Sequence, residues 1–234
     1  MHPSGVAVQL ASTCLGDLVF PHVVADAARV LESCGVQVEI PAAQVCCGQP
    51  AFNAGHRSAA RRVAATFARA FSREVPVVVP SGSCAAMLTH RLPQLLDCPP
   101  YDVFELADFL DGIDAALDPV NAGITVGYHT SCHSLRELHG GGAGERLLAR
   151  SGASVVPLRR SDLCCGFGGT FSVRQPEVSV AMADDKLDSA PGAAALVTGD
   201  PGCLLQLDSR SRRVRGTPVV HIATALAQGV AAAA

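Results

Sequence analysis

Eight of the ten cysteines in this chain follow one spacing that occurs twice. In each copy a single cysteine is followed, after thirty-one residues, by an adjacent pair, and a last cysteine comes thirty-six or thirty-seven residues later. Scattered structural cysteines would not keep this register, so the pattern indicates a duplicated unit. Four thiolates per copy predict one soft metal centre in each. The positions are Cys14, Cys46, Cys47 and Cys84 in the first copy, and Cys132, Cys164, Cys165 and Cys203 in the second.

The adjacent pair bears on which metal is bound. Structural zinc sites usually take their cysteines from Cys-x2–4-Cys knuckles, whereas neighbouring residues of an extended segment point in opposite directions. Both cysteines reach one centre only if the chain turns, and Gly48 and Gly166, which follow the pairs, permit a turn. A centre with several metal atoms accepts such a pair more readily than one tetrahedral ion. The spacing therefore favours an iron–sulfur cluster and leaves zinc as the alternative.

Each cysteine position follows a segment with the pattern of a β-strand, and helical patterns alternate with these strands. This alternation predicts an α/β fold with parallel sheets. Ligand sites of open α/β sheets lie beyond the carboxyl ends of the strands, so the cysteines of each copy should converge there. The predicted strands are 6–10, 36–40, 75–79, 124–128, 154–158, 194–198 and 219–222, and the helices are 20–34, 57–71, 84–91, 103–110, 143–151, 175–187 and 223–228.

The length of 234 residues fits two domains. We expect two tandem pseudo-symmetric domains, each a small parallel sheet flanked by helices. The first would cover residues 1–98 and the second 123–234, with 99–122 as a linker that holds one helix. A hydrophobic fraction of 49% allows substantial cores.

Composition and charge exclude several kinds of protein. A net charge of −3 and the absence of tryptophan argue against nucleic-acid binding. No apolar stretch reaches the ~18–20 residues that span a bilayer, and residues 1–6 lack the features of a secretory signal. We therefore expect a cytoplasmic protein without a membrane span. Thiols stay reduced there, so the cysteines indicate metal sites rather than disulfides.

The residues around the cysteines resemble a known family. They are similar to the cysteine-rich CCG domain, which is duplicated in the cysteine-rich subunit of heterodisulfide reductase and in the glycolate oxidase iron–sulfur subunit. The strongest resemblance is to the short, two-domain lactate utilisation A family, and it covers nearly the whole chain. The matching segments are CCGQPAFN at 46–53, PSGSC at 80–84, SCHSLREL at 131–138 and CCGFGGTF at 164–171.

This resemblance implies an electron-transfer subunit in a multi-component system that oxidises L-lactate to pyruvate. Its implied partners are a larger ferredoxin-like iron–sulfur subunit and a third small protein. All eight cysteines are implied as ligands, with one [4Fe–4S] cluster per domain and zinc possible in one domain. The resemblance assigns no catalytic residue.

Two alternative functions stay open. One is a thiol–disulfide reductase subunit like that of heterodisulfide reductase. In those relatives each copy ends in Cys-x-x-Cys, whereas this chain has Met87 and Gln206 at the final positions, which weighs against that function. The other alternative is a zinc-stabilised, non-catalytic scaffold of an oxidoreductase complex.

The remaining polar and cysteine residues have simpler interpretations. His129 and His133 flank Cys132 and could bind metal or donate to sulfur, but polar loop histidines are the favoured interpretation. Cys34 and Cys98 have no counterpart in the repeat and are predicted to be structural. The acidic residues between 102 and 118 and the arginines between 210 and 215 fit either partner docking or solvated surfaces.

Overall fold

A computed structural model describes residues 5–233. The first four residues, on which part of the expectation about a secretory signal depends, and Ala234 lie outside it. The described chain contains two four-stranded sheets in which every strand pairing is parallel. Their strand orders are β2-β1-β3-β4 and β6-β5-β7-β8, so the two sheets have the same topology. The predicted α/β class with tandem, pseudo-symmetric parallel sheets is confirmed.

The first copy alternates strands and helices in the predicted order. The central strand β3 consists of three valines that are all fully buried, as expected for a parallel strand covered on both faces. The elements are β1 (Ala7–Leu10), α1 (Cys14–Leu18), α2 (Pro21–Ser33), β2 (Gln37–Glu39), α3 (Gln49–Asn53), α4 (Arg57–Ala70), β3 (Val77–Val79), α5 (Gly82–Ala86), a π-helical turn (Met87–Arg91), α6 (Leu92–Leu96), β4 (Val103–Glu105) and α7 (Leu106–Gly112).

The second copy repeats this order, with an additional terminal helix. Proline at the first position of α11 and α12 suits a helix start, where no backbone N–H is needed. The elements are β5 (Thr125–His129), α8 (Cys132–Glu137), α9 (Ala143–Arg150), β6 (Ser154–Val156), α10 (Thr170–Arg174), α11 (Pro176–Leu187), β7 (Ala195–Thr198), α12 (Pro201–Val214), β8 (Val219–His221), α13 (Ile222–Gln228) and α14 (Val230–Ala233).

Two predicted helices were wrong in extent. The helix expected over 103–110 begins only at Leu106, because Val103–Glu105 pairs with β3 as an edge strand. The segment predicted as a linker thus supplies the fourth strand of the first sheet. The helix expected over 84–91 begins at Gly82, and the chain continues through the π-helical turn into α6. Short strands and turns of this kind have too few residues to show a period.

The two copies pack against each other through equivalent pairs of helices. Helix α13 packs on α2, and α7 packs on α9. One hydrophobic cluster includes Val30 and Leu31 of the first copy together with Leu147 and Ala225 of the second. A continuous core therefore fixes one copy relative to the other. No helix within residues 5–233 is both long and apolar enough to cross a bilayer.

Candidate metal centres

The single and the last cysteine of each copy lie at the start of a helix. Cys14 and Cys132 are the first residues of α1 and α8, while Cys84 and Cys203 lie in the first turns of α5 and α12. In each case the residue before the helix caps it, because its side-chain oxygen accepts a backbone N–H of the first turn. These caps orient the four helix starts, and they are Thr13, Ser81, Ser131 and Asp200.

The adjacent cysteines turn toward one another through the glycine that follows them. Gly48 and Gly166 have φ angles of 91° and 89°, which only glycine adopts at little cost. In both copies the glycine N–H donates to the sulfur of the first cysteine of the pair, at 3.4 Å. The turn predicted from Cys-Cys-Gly is therefore present, and it brings both thiols of each pair to the same side.

The structure brings the four cysteines of each copy together. In the first copy Cys14 and Cys46 have sulfurs 3.6 Å apart, and those of Cys47 and Cys84 are 3.3 Å apart. In the second copy the sulfurs of Cys165 and Cys203 are 3.2 Å apart. We call Cys14, Cys46, Cys47 and Cys84 the first quartet, and Cys132, Cys164, Cys165 and Cys203 the second quartet.

Each quartet favours a thiolate on the first cysteine of its pair. Hydrogen bonds shared with Cys14 and Cys47 lower the pKa of Cys46 to about 3, and hydrogen bonds shared with Cys132 and Cys165 lower the pKa of Cys164 to about 2. The thiols that share these bonds have raised pKa values. Thiolates are the ligand form of cysteine, so the local geometry favours deprotonation at these two positions.

Both quartets face one crevice between the two copies. Its volume is about 210 Å³, and seven of the eight cysteines line it, the exception being Cys46. The crevice forms because α5 packs against α8 and α1 against α12. Asp200 links the two sides: its carboxylate caps α12 and also accepts from the Ser81 hydroxyl at 3.0 Å and the Ser83 N–H at 2.8 Å. The donor sets, four thiols and a nearby backbone N–H in each, fit an iron–sulfur cluster or zinc.

Comparison with known proteins assigns the chain to a family. The model of the cysteine-rich CCG domain matches residues 8–89 and again residues 126–208, once in each copy. The chain belongs to the cysteine-rich CCG domain family. It is also 40% identical to "Lactate utilization protein A" of Bacillus pumilus, with 94% of this chain and 98% of that protein aligned. The protein of the same name from Shouchella clausii is 38% identical, over 94% and 98% of the two chains.

These full-length matches place the chain in the lactate utilization A family, which confirms the resemblance drawn from the motifs. "Lactate utilization protein A 2" of Bacillus cereus strain AH820 is 35% identical, with 95% of this chain and 98% of that protein covered. Among solved structures, a glutamate racemase from Thermus thermophilus aligns with a TM-score of 0.39 at 19% identity, covering 100% of this chain and 81% of the other. That likeness is too low to support an argument.

In this CCG protein a buried histidine, His129, lies beside the second quartet and, within residues 5–233, has no counterpart beside the first. His129 is the last residue of β5 and is fully buried, so its interpretation as a polar loop residue was wrong. Its imidazole and the sulfurs of Cys165 and Cys203 all lie within 4.8 Å of one another. Burial and the nearby charge of Lys186 lower the pKa of His129 to about 3. At the equivalent place in the first copy, three residues before Cys14, stands Ala11.

Lys186 is a second group found only near the second quartet. Its side chain is fully buried, and its Nζ donates to the carbonyls of Arg160 and Ser161 at 2.6 and 3.4 Å. Its pKa is lowered by burial and raised by the nearby Asp162 carboxylate and by the quartet thiolates, and the net shift is downward. Neither Lys186 nor Asp200 was predicted as a site residue from the sequence. An aspartate directly before Pro-Gly-Cys was a readable capping signal, whereas a lysine inside a helix is ordinarily a surface residue.

The other residues singled out from the sequence are partly or fully buried. His133 is partly exposed, with Nδ1 3.6 Å from the Cys132 sulfur. Met87 is buried at the start of the π-helical turn, and the Gln206 amide donates to the Ser179 hydroxyl at 2.8 Å. Cys34 is buried in the shared core, in keeping with its structural interpretation, and Cys98 is partly buried.

The charged segments proposed for docking are partly used inside the molecule. Asp111 pairs with Arg146 and Arg150 of α9, and Asp114 also pairs with Arg150. These ion pairs join the first copy to the second. The arginine cluster likewise has intramolecular partners, since Arg210, Arg212 and Arg215 each pair with an aspartate.

Proposed function

We propose that the chain is the iron–sulfur electron-transfer subunit of a multi-component system that oxidises L-lactate to pyruvate. The single observation that carries the proposal is the convergence of two cysteine quartets on one crevice, in a member of the lactate utilization A family. The named relatives connect the family with lactate utilisation. Thiolate quartets connect it with redox chemistry.

The first and second quartets would each hold one [4Fe–4S] cluster, and such a cluster supplies one-electron oxidation and reduction. The chain's own part is to position the thiols, to donate backbone N–H groups to sulfur and to limit water access. The N–H groups of Gly48 and Gly166 already point at sulfur. Hydrogen bonds of this kind raise the reduction potential of a cluster, because they stabilise its more negative, reduced state.

Anaerobic purification with iron and sulfide analysis tests this proposal. We expect about four iron atoms per quartet and an electron paramagnetic resonance signal on reduction. Cys47→Ser and Cys165→Ser should each lose roughly half of the iron, because each removes a ligand from one of two centres. Cys34→Ser is the matched control, because Cys34 lies outside both quartets, and this variant should retain all of the iron. Protein that takes up only zinc after anaerobic reconstitution with iron and sulfide would refute the redox function and support the zinc-stabilised scaffold.

The partners we propose are a larger ferredoxin-like iron–sulfur subunit and a third small protein, all in the cytoplasm. The support is the name of the relatives, which connects the family with lactate utilisation. Co-expression with a ferredoxin-like iron–sulfur protein and a third small protein from the same organism, followed by size-exclusion chromatography, tests the association. Elution of this chain alone at micromolar concentration would contradict it.

A disulfide reductase is the second candidate function, because both quartets line the same crevice. A disulfide bound there would accept two electrons and two protons and leave as two thiols. Met87 and Gln206, at the places of the additional cysteines in heterodisulfide reductase, argue against this function. An assay with a reduced viologen donor and low-molecular-weight disulfides separates the candidates. Turnover by the reconstituted protein would favour the reductase.

A further inference from the structure

The second quartet differs from the first in its non-sulfur surroundings. His129 lies at the carboxyl end of β5, where the fold directs side chains to the ligand rim. One of its ring nitrogens lies within 4.8 Å of the sulfurs of Cys165 and Cys203. Two ligands of one tetrahedral metal ion, about 2.0 and 2.3 Å from it, lie about 3.5 Å apart. The imidazole is therefore close enough to share a metal with Cys165 and Cys203 after a small movement of the side chains.

The imidazole has no other role among the described residues. Both of its nitrogens are buried, and neither has a hydrogen-bond partner within residues 5–233. Leaving a buried polar group unpaired costs about 1–3 kcal/mol, so most such groups in native proteins have a partner. A metal centre at the second quartet would provide a partner for one of these two nitrogens.

The fold itself does not require a histidine at this place. Ala11 occupies the equivalent position in the first copy and is also buried, so the same strand end accommodates a side chain with no polar atom. A need for packing alone would be met by an apolar side chain in both copies. The difference between the copies points to a function specific to the second centre.

We propose that the imidazole of His129 is a nitrogen ligand of the metal centre held by the second quartet, a ligand that the first centre lacks. The inference rests on the proposed function only in requiring that the second quartet bind a metal. A [4Fe–4S] cluster takes one protein ligand per iron, so imidazole ligation would replace one of the four thiolates of the second quartet, and this replacement raises the potential of iron–sulfur clusters in other proteins. The second centre is then the more readily reduced of the two, and an electron that reaches the protein would reduce this centre first.

Labelling with ¹⁵N-histidine tests the ligation in the wild-type protein. After anaerobic reconstitution and reduction, we expect pulsed electron paramagnetic resonance to detect strong ¹⁵N hyperfine coupling. The coupling should disappear in His129→Ala, which reproduces the first copy, and the second centre should lose metal roughly tenfold more readily. His221→Asn is the matched control, because His221 is equally buried but lies outside the group formed by His129, Cys165 and Cys203. It should keep the full coupling.

Metal analysis separates failure of this inference from failure of the proposed function. If the second quartet holds zinc, the redox function fails, and X-ray absorption at the zinc edge then takes the place of the resonance experiment. A nitrogen in the first shell that is lost in His129→Ala still supports the ligation. Absent or only weak coupling in the wild type, coupling retained in His129→Ala, an all-sulfur zinc shell, or no metal at all would each overturn it. The wild-type measurement decides the question even if His129→Ala fails to fold.

Discussion

At the scale of single residues, two sites with the same sulfur ligands differ in nearby charge. Lys186 is buried beside the second quartet, and the place with the same spacing from Cys47 in the first copy is taken by Ala68. A cation in a poorly solvated site stabilises added electrons more strongly than one in water. The charge of Lys186 should therefore raise the potential of the second centre independently of His129.

Lys186→Met should lower the midpoint potential of the second centre. Loss of about 1 kcal/mol of charge stabilisation corresponds to roughly 40 mV for a one-electron couple. A redox titration monitored by electron paramagnetic resonance measures the shift. Lys186→Arg is the matched control, since it keeps the charge and the donors to the Arg160 and Ser161 carbonyls, and it should leave the potential nearly unchanged. Equal potentials in the Met variant and the wild type would show that this charge does not affect the centre.

The two glycines that turn the cysteine pairs differ in the space around them. A Cβ on Gly166 would lie 2.4 Å from the backbone oxygen of Ser179, whereas one on Gly48 would have its nearest neighbour at 3.4 Å. Both positions have positive φ, so both alanine substitutions are strained by about 1–2 kcal/mol. Only Gly166→Ala must also displace the backbone of α11.

We expect Gly166→Ala to destabilise the fold more than Gly48→Ala, by at least about 1 kcal/mol. Urea unfolding of the two variants at equal metal loading measures the difference. Gly48→Ala serves as the internal control, because it carries the backbone strain without the overlap. Equal unfolding midpoints would mean that α11 shifts away at little cost.

At the scale of elements, Asp200 connects the two halves of the site. One carboxylate oxygen accepts the N–H groups of Gly202 and Cys203 at the start of α12, and the other accepts from Ser81 and Ser83 at the start of α5. The side chain is buried, so its loss would leave several donors unpaired inside the protein. Helix capping and attachment of one copy to the other thus depend on one residue.

Asp200→Ala should destabilise the protein by about 2–4 kcal/mol, from the lost cap and the unpaired donors across the crevice. Thermal or urea unfolding measures the loss. Asp208→Ala removes an aspartate from the same helix, where the carboxylate pairs with the exposed Arg212 at i,i+4, and should cost about 0.5 kcal/mol. If the two variants were equally stable, the hydrogen bonds of Asp200 across the crevice would make no measurable contribution to the free energy of unfolding.

The sequence predicts seven of the eight strands of the described chain and the convergence of the cysteines, because both depend on patterns along the chain, but it did not predict helix α12. Buried strands such as Val77–Val79 and the repeated cysteine spacing are of this kind. Strand β4 was missed, because three residues before a helix show no period of their own. The burial of His129 and Lys186 was missed for a different reason: it depends on which segments cover them, and those segments are distant in sequence.

At the scale of the whole molecule, the two copies share one hydrophobic cluster, and each contains a buried side chain that caps an equivalent helix. Glu105 ends β4 and caps α7, and His221 ends β8 and caps α13. The two positions are equivalent in the repeat, but one carries an acid and the other a base. Burial, assisted by the charge of Asp108, raises the pKa of Glu105 to about 8, and burial lowers the pKa of His221 to about 4.

These opposite shifts predict stability limits on both sides of a mildly acidic optimum. The folded protein keeps a proton on Glu105 that the unfolded chain releases above its usual pKa of 4.5, so the contribution of Glu105 to stability falls as the pH rises from about 4.5 to about 8. The unfolded chain protonates His221 below its usual pKa of 6.5, so the contribution of His221 falls as the pH drops from 6.5 to about 4. Each group contributes a slope of up to about 1.4 kcal/mol per pH unit.

Two neutral variants separate these slopes. The two contributions oppose each other between about pH 4.5 and about pH 6.5, so wild-type stability should be nearly flat there and should fall above and below that range. Glu105→Gln should remove the fall above about pH 6.5, and His221→Asn, which keeps a capping side chain for α13, should remove the fall below about pH 4.5. Urea unfolding across this pH range, on protein of equal metal content, measures both. The differences from wild type at each pH report these two groups, and parallel pH profiles in all three proteins would contradict both pKa shifts.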